Sequence, residues 1–236
     1  MSIQLSHQSS KPEVTIELRD SGEVYAVVRT ERLVISPASQ SDVQDYHRFL
    51  FADPSVMEKF ATGVVRTAEF VQGRIATWES RRKSGDPFCG FAIRTREGKF
   101  VGHIVLGHGE KAGHAELAYL IRADYWNKGY GTEAANGIVN GLAPLLKTYN
   151  FKMRKEEPES TGEKRISAEG IQVIDATARP DNPASGAILR RLGFNETGIQ
   201  DAHGAPREHF SGQVPCASSD SAWAILVMPG LTVFKD

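Results

Sequence analysis

Alternation of apolar and polar positions marks the strands of this chain. Val14, Ile16 and Leu18 alternate, Asp20-Ser21-Gly22 supplies turn chemistry, and a second alternating run ends at Ile35, which predicts strand, turn, strand. The period then lengthens. Ser41-Asp42 precedes Val43, Tyr46, Phe49 and Leu50 on one helical face, and Thr67 precedes Val71, Ile75 and Trp78, with Gly85 after a basic end. Both stretches predict capped helices. Alternation returns in FCGFAIRT and KFVGHIVLGH around Arg96-Glu97-Gly98, a hairpin signal, and then in AELAYLI. In that run Leu117, Tyr119 and Ile121 face one way and Glu116, Ala118 and Leu120 the other.

After RADYWNKGYG, Ala135, Ile138, Val139, Leu142 and Leu146 repeat at helical spacing, with Pro144 expected to strain or end the helix. Residues 152–165 are charged and turn-rich without an apolar period and read as a solvated surface insertion. IQVIDATA predicts a strand, RPDNPAS a loop, Ala184–Leu192 a short helix closed by Gly193, residues 198–219 a polar loop, and AWAILVM a closing strand. This order predicts an α+β, mixed α/β fold. A polar segment over 1–13 precedes a single domain over 14–236.

Composition narrows the function. With Lys+Arg 28 against Asp+Glu 29 in 236 residues, the formal charge of −1 leaves no basic excess for nucleic acid. The two cysteines, Cys89 and Cys216, form no CxxC pair and no disulfide framework, which fits a reducing compartment. No apolar run approaches the ~20 residues of a membrane span, and the first residues carry no secretory pattern, so the expected compartment is the cytoplasm. His103, His108 and His114, and later His203 and His209, lack metal-site spacing, so no metal is expected. Cys89 reads as a small buried hydrophobe.

Two stretches match G-x-G-x-x-A. Gly107, Gly109 and Ala112 lie between two strands and read as a hairpin turn. Gly129, Gly131 and Ala134 open a helix, but Arg122–Lys128 separate them from the preceding strand and no carboxylate follows near Tyr149, which argues against a dinucleotide fold. Lys-Gly-Tyr-Gly-Thr at a helix entrance leaves two readings open: a plain entry turn, or a place where glycines admit a ligand and free N–H groups favour phosphate.

The wider context bears on that choice. Glu-Leu-Ala-Tyr-Leu-Ile-x4-Trp-x2-Gly-Tyr-Gly-Thr-Glu-Ala, from Glu116 to Ala134, resembles the cofactor motif of the GNAT superfamily of acyl-CoA-dependent N-acyltransferases. Ala176-x3-Pro180-Asp181-Asn182-x2-Ser185-x6-Leu192-Gly193-Phe194 resembles its next motif. Thr30-Glu31-Arg32-Leu33, with Asp53-Pro54-Ser55-Val56 downstream, is similar to the RimJ/RimL-like branch of ribosomal-protein N-terminal acetyltransferases. The resemblance spans roughly residues 30–228. Trp126 stands where the pyrophosphate loop usually starts with Gln or Arg, and Leu189 where many members carry a general-acid tyrosine.

The resemblance implies a mostly antiparallel twisted sheet flanked by helices, with a strand pair splayed at a CoA site, and acetyl transfer from acetyl-CoA to an amine. It implies that Leu120, Ile121 and Arg122 pair with the pantetheine arm and that Lys128, Gly129, Tyr130, Gly131 and Thr132 hold the diphosphate. Glu116 is the expected base, against a solvated strand-end role. Asn182 is expected to fix the arm or a water, against a turn role. Ser185 is expected either to bond the leaving sulfur or to cap the next helix. Asp201, Glu208 and Asp220 are candidates for the acceptor channel, against a solvated-loop role. The acceptor is a small-molecule amine or a protein N-terminus, with a homodimer left open and neither nucleic acid nor membrane expected. The alternative is a catalytically weak or inactive CoA-binding module with a regulatory or interaction role.

Overall fold

The computed structural model describes residues 11–158, 164–202, 204–217, 223–228 and 231–235. His203, Asp220, residues 159–163 of the charged stretch and all but the last three of residues 1–13 lie outside them. The chain opens with β1 (Glu13–Leu18), β2 (Val24–Arg29) and β3 (Leu33–Pro37). A short helical region follows: α1 (Val43–Tyr46), a wider turn over His47–Phe51, and α2 (Pro54–Met57). Next come α3 (Ala68–Lys83), β4 (Gly90–Thr95), β5 (Phe100–His108) and β6 (His114–Ile121). One long helix contains α4 (Tyr130–Asn136) and α5 (Ala143–Thr148), and is followed by β7 (Lys152–Pro158), β8 (Lys164–Gly170) and β9 (Val173–Ala178). The last elements are α6 (Pro183–Arg191), β10 (Asn195–Ala202), β11 (Ala205–Gln213), β12 (Trp223–Met228) and β13 (Leu231–Lys235).

Eleven strands form one sheet in the order β10-β11-β9-β6-β5-β4-β3-β2-β1-β12-β13. It is antiparallel except where β6 meets β9 and β1 meets β12, which is the mixed, largely antiparallel α+β architecture the pattern predicts. The register sets two faces. His103, Val105, Glu116, Ala118, Asp175, Thr177 and His209 share one, because Val105 opposes Ala118, Glu116 opposes Asp175 and Thr177 opposes His209. Helices α1 and α3 cover that face: Trp78 stacks on His103 at 5.3 Å and the Tyr46 hydroxyl lies 3.1 Å from His103 Nδ1. The long helix covers the other face so closely that a Cβ on Gly137 would come within 3.1 Å of Val28 and Thr30. Val14, Val28, Ile35, Ile104, Leu106, Leu142 and Leu146 are fully buried in the core.

Of the expectations for these segments, two hold and two need correction. Pro144 does not end its helix: over Gly137–Leu142 the coil widens, the Ala143 N–H reaches the Ile138 carbonyl five residues back, and the wide turn accommodates a residue without a donor. The charged stretch that begins at Lys152 is a two-stranded ribbon, β7 with β8, separate from the main sheet. The polar stretch read as a loop over 198–219 is largely the β10–β11 hairpin, where Gln200 opposes Arg207 and Ile199 opposes Glu208. The strand expected for AWAILVM forms as β12, which joins the far edge of the sheet, parallel to β1.

Candidate active site

Strands β6 and β9 pair over only three positions, ending at Glu116 with Asp175. Beyond that point they part, as the resemblance implied. Among the described residues no strand covers the edge of β6 that faces the gap. Arg122 N–H is bonded to the Val101 carbonyl at 2.9 Å, so alternation turns the main-chain groups of Leu120 and Arg122 toward β5 and those of Tyr119 and Ile121 toward the gap. The Ile121 carbonyl accepts from Trp126 Nε1 at 2.6 Å. Of the Leu120–Arg122 trio, only Ile121 therefore presents an N–H to the gap.

The glycine segment lies at the end of β6. Gly129 is left-handed (φ +80°) and stands at the N-terminus of α4, where the first N–H groups of a helix have no intrahelical acceptor. A Cβ at Gly131 would lie 3.3 Å from Ile188 of α6 and 3.5 Å from Ile121, so α4, α6 and β6 meet there. The turn is braced by Arg32. Its Nη1 donates to the Lys128 carbonyl at 2.9 Å, its Nε lies 2.6 Å from Glu133 Oε2, and its guanidinium sits 4.3 Å from the centre of the Tyr130 ring. Lys128 Nζ donates back to the Asp124 carbonyl at 2.7 Å.

On the opposite bank of the gap, Asn182 caps α6, its side chain accepting the Ser185 N–H at 3.3 Å. The cap is therefore Asn182 and not Ser185. Released from that task, the Ser185 hydroxyl lies 3.0 Å from the Tyr119 hydroxyl, which also donates to the Ser185 carbonyl at 3.2 Å. Burial pushes the Tyr119 phenol up to about 12, with the Ser185 bond opposing the shift. Leu189 is buried.

A cavity of about 340 Å³ borders the carboxylate and the hydroxyls together, with Glu116 and Ala118 on one side and Tyr119 and Ser185 on another. Aromatic side chains of the helical layer, Phe51, Phe60, Phe70 and Trp78, complete its walls. Phe70 is exposed where it lines this space, whereas Trp78 is buried. Arg66, Arg74 and Arg207 also line it. Asp201 and Glu208 do not: Asp201 is exposed on β10, and Glu208 faces Arg190 at 3.5 Å. Period-two alternation puts the neighbouring Arg207 in the cavity instead.

Tyr119, Arg74 and Arg207 are the residues that sequence reasoning missed. The missing tyrosine at Leu189 was a signal to look for a hydroxyl elsewhere. Arg207 lay in a stretch without apolar alternation. Cys89 is buried and its thiol is pushed up to about 12 by burial. Among the described residues no group of His, Cys, Asp or Glu side chains is arranged to hold a metal, and no helix is long and apolar enough to cross a membrane.

A central sheet parted at one strand pair, with a glycine-entered helix at its mouth, defines the class of protein as an acyltransferase of the GNAT type. The family model described as "Acetyltransferase (GNAT) domain" matches residues 32–195, and the chain belongs to that family as an N-acetyltransferase. It is 25% identical over 173 residues to the uncharacterized N-acetyltransferase YnaD of Bacillus subtilis (strain 168), covering 73% of this chain and 84% of that protein. Its fold is similar to a GNAT acetyltransferase from Bacillus anthracis (TM-score 0.59, 21% identity, 79% of this chain and 98% of that one). It is also similar to RimL, a ribosomal L7/L12 alpha-N-protein acetyltransferase solved with coenzyme A (TM-score 0.60, 13% identity, 80% and 97%). Strands β12 and β13 lie beyond the span of the family match.

Proposed function

We propose that this chain transfers an acetyl group from acetyl-CoA to a primary amine by direct attack. The observation that carries the reading is the single cavity bordered by Glu116 on one side of the parted strands and by the Tyr119–Ser185 hydroxyl pair on the other. The cosubstrate fits the residues present. A strand edge without a partner is open to an extended arm, and the Gly129 turn with the first N–H groups of α4 suits a diphosphate. Lys128, Gly129, Tyr130, Gly131 and Thr132 would hold that end and Tyr119 and Ile121 the arm. When bound, acetyl-CoA supplies the acetyl group as an activated thioester.

Each remaining task falls to a residue of this chain. Glu116, directly or through a water, takes the proton that the amine must lose as its C–N bond forms. The gap-facing N–H groups of Tyr119 and Ile121 polarise the acyl carbonyl. As the C–S bond breaks, the Ser185–Tyr119 pair donates a proton to the sulfur; a phenol held up to about 12 remains protonated at neutral pH and is available to do so. Asn182 acts through Ser185 by fixing the first turn of α6. The hydroxyl pair also answers the departure at Leu189, which left room for a binding-only module.

Thiol release from acetyl-CoA over a panel of primary amines, beside calorimetric titration with CoA, tests the reading. Glu116→Gln is expected to lower kcat by about 10²–10⁴-fold with CoA affinity nearly unchanged. A protein that binds CoA and releases no thiol with any amine would establish the binding module instead.

A further inference from the structure

Arg207 is a buried arginine without an ion pair among the described residues. It is 3% exposed, it lines the cavity beside Glu116 and Thr177, and among the described residues no carboxylate pairs with it. One Nη donates to the Ala61 carbonyl in the α2–α3 connection, but its Nε is buried with no hydrogen-bond partner. A guanidinium in such a place is costly unless a counter-charge accompanies it. Desolvation lowers its pKa, the charge of Arg179 adds to that, and Asp181 opposes it. Arg74 and Arg66 line the same space and are likewise without ion pairs among the described residues. Arg66 donates to the Thr62 hydroxyl at 3.0 Å, and Arg74 lies over the Trp78 ring at 5.3 Å. Glu116 is the only carboxylate among the lining residues, and its charge acts on Arg74. Three guanidinium groups thus face one carboxylate.

We infer that the acceptor is a small primary amine bearing an anionic group, a carboxylate or a phosphate, bound by Arg207 and Arg74 with its amine toward Glu116. This rests on the acetyl-transfer reading above. The planar donor fork of arginine matches both anions. The cavity volume of about 340 Å³ lies at the small end of ligand pockets, which suits a compact acceptor. Glu116 repels the anion and attracts the amine, so the two ends of such a molecule are sorted by charge.

Matched pairs of amines test this: glycine and β-alanine against their amides, and O-phosphoethanolamine against ethanolamine. The first two pairs read carboxylate and the third phosphate. An amino-acid amide is the weaker base at its amine, so a preference for the acid does not come from nucleophile availability. At least one anionic member is expected to exceed its neutral partner by about tenfold or more in kcat/KM, the scale of a charged hydrogen-bond pair. Arg207→Gln is expected to raise KM for the anionic member by about tenfold more than for the neutral one. A role limited to tying down the Ala61 loop would move both alike. Should Arg207→Gln fail to fold, Arg207→Lys, which keeps the charge without the fork, and Arg74→Gln provide the same comparison. Neutral partners used equally well, a loss shared by both members, or CoA binding with turnover of no member would each overturn the inference. Turnover of neutral amines without anionic preference overturns it alone, whereas absence of CoA binding overturns the acetyl-transfer reading as well.

Discussion

Replacing Arg32 with alanine is expected to weaken CoA binding while leaving the residues that would contact CoA in place. Arg32 joins the end of the β2–β3 turn to the glycine segment through four contacts. Its Nε lies 2.6 Å from Glu133 Oε2, its main-chain N–H 2.8 Å from Glu133 Oε1, its Nη1 2.9 Å from the Lys128 carbonyl, and its guanidinium 4.3 Å from the Tyr130 ring centre. Alanine keeps only the main-chain bond, and the Thr30 hydroxyl still holds Glu133 at 2.5 Å. The Arg32 side chain is 42% exposed and that of Glu133 16%, so the ion pair belongs in the surface range. That range is ~0.2–1 kcal/mol. A half-exposed bond to the Lys128 carbonyl adds about 0.5–1 kcal/mol and the ring contact at most about 0.5 kcal/mol. If all of this energy, about 0.7–2.5 kcal/mol, holds the turn in its binding geometry, the dissociation constant for CoA rises ~3–70-fold. Calorimetric titration measures this directly, with melting curves to establish that the fold survives. Arg32→Lys keeps a cation near Glu133 but lacks the planar fork that spans Glu133 and the Lys128 carbonyl, and is expected to fall between wild type and alanine. A folded Arg32→Ala protein with CoA affinity within twofold of wild type would refute the proposed bracing of the turn.

Gly129→Val forces a branched residue into a left-handed conformation, which costs about 1–2 kcal/mol; Gly131→Val drives its side chain toward Ile188 and Ile121. Both are expected to weaken CoA binding by about tenfold or more in titrations of the folded variants. Ser185→Ala and Tyr119→Phe are each expected to lower kcat by about 10–100-fold with little change in CoA affinity, and the double variant to be scarcely worse than either, since the two hydroxyls act as a pair. Burial first, and the charge of Arg74 next, lower His103 from 6.5 to about 3. The unfolded chain therefore binds a proton that the folded one refuses: this stability is full above about pH 6.5 and is lost as pH falls toward 3. Melting temperatures between pH 7.5 and 4.5 should decline with a slope that His103→Gln reduces. Replacing 154–163 with a short Gly/Ser linker should leave melting temperature and CoA affinity unchanged, because the β7–β8 ribbon is separate from the main sheet; a fall in either would give the ribbon a structural role.

The difference between what was legible in the sequence and what was not follows burial. Strands β4 and β5 lie in the interior of the sheet and are buried on both faces, so near-continuous apolar runs announce them, and β6 beside them alternates. Strand β10 lies at an edge with nearly every side chain exposed, from Asn195 through Asp201. Its pairing with β11 rests on main-chain bonds that leave no apolar trace, and an alternation-based reading sees a loop. The same condition hid Arg207: once 198–219 is read as a loop, the acids at 201 and 208 look nearer to an amine than the arginine between them does. Strand order settles the matter, because only the paired register of β11 against β9 puts position 207 on the face of Thr177 and Glu116. The glycine turn was legible because its residue types are dictated locally by a left-handed φ and a close helix contact. Its brace was not, since Arg32 and Glu133 are about a hundred positions apart and meet only through the sheet. Tyr119 shows the same division within one residue. Alternation predicted which face of β6 it would occupy, but its partnership with Ser185 depends on β6 and β9 parting after Glu116, a feature carried by the end of a ladder and by no residue type.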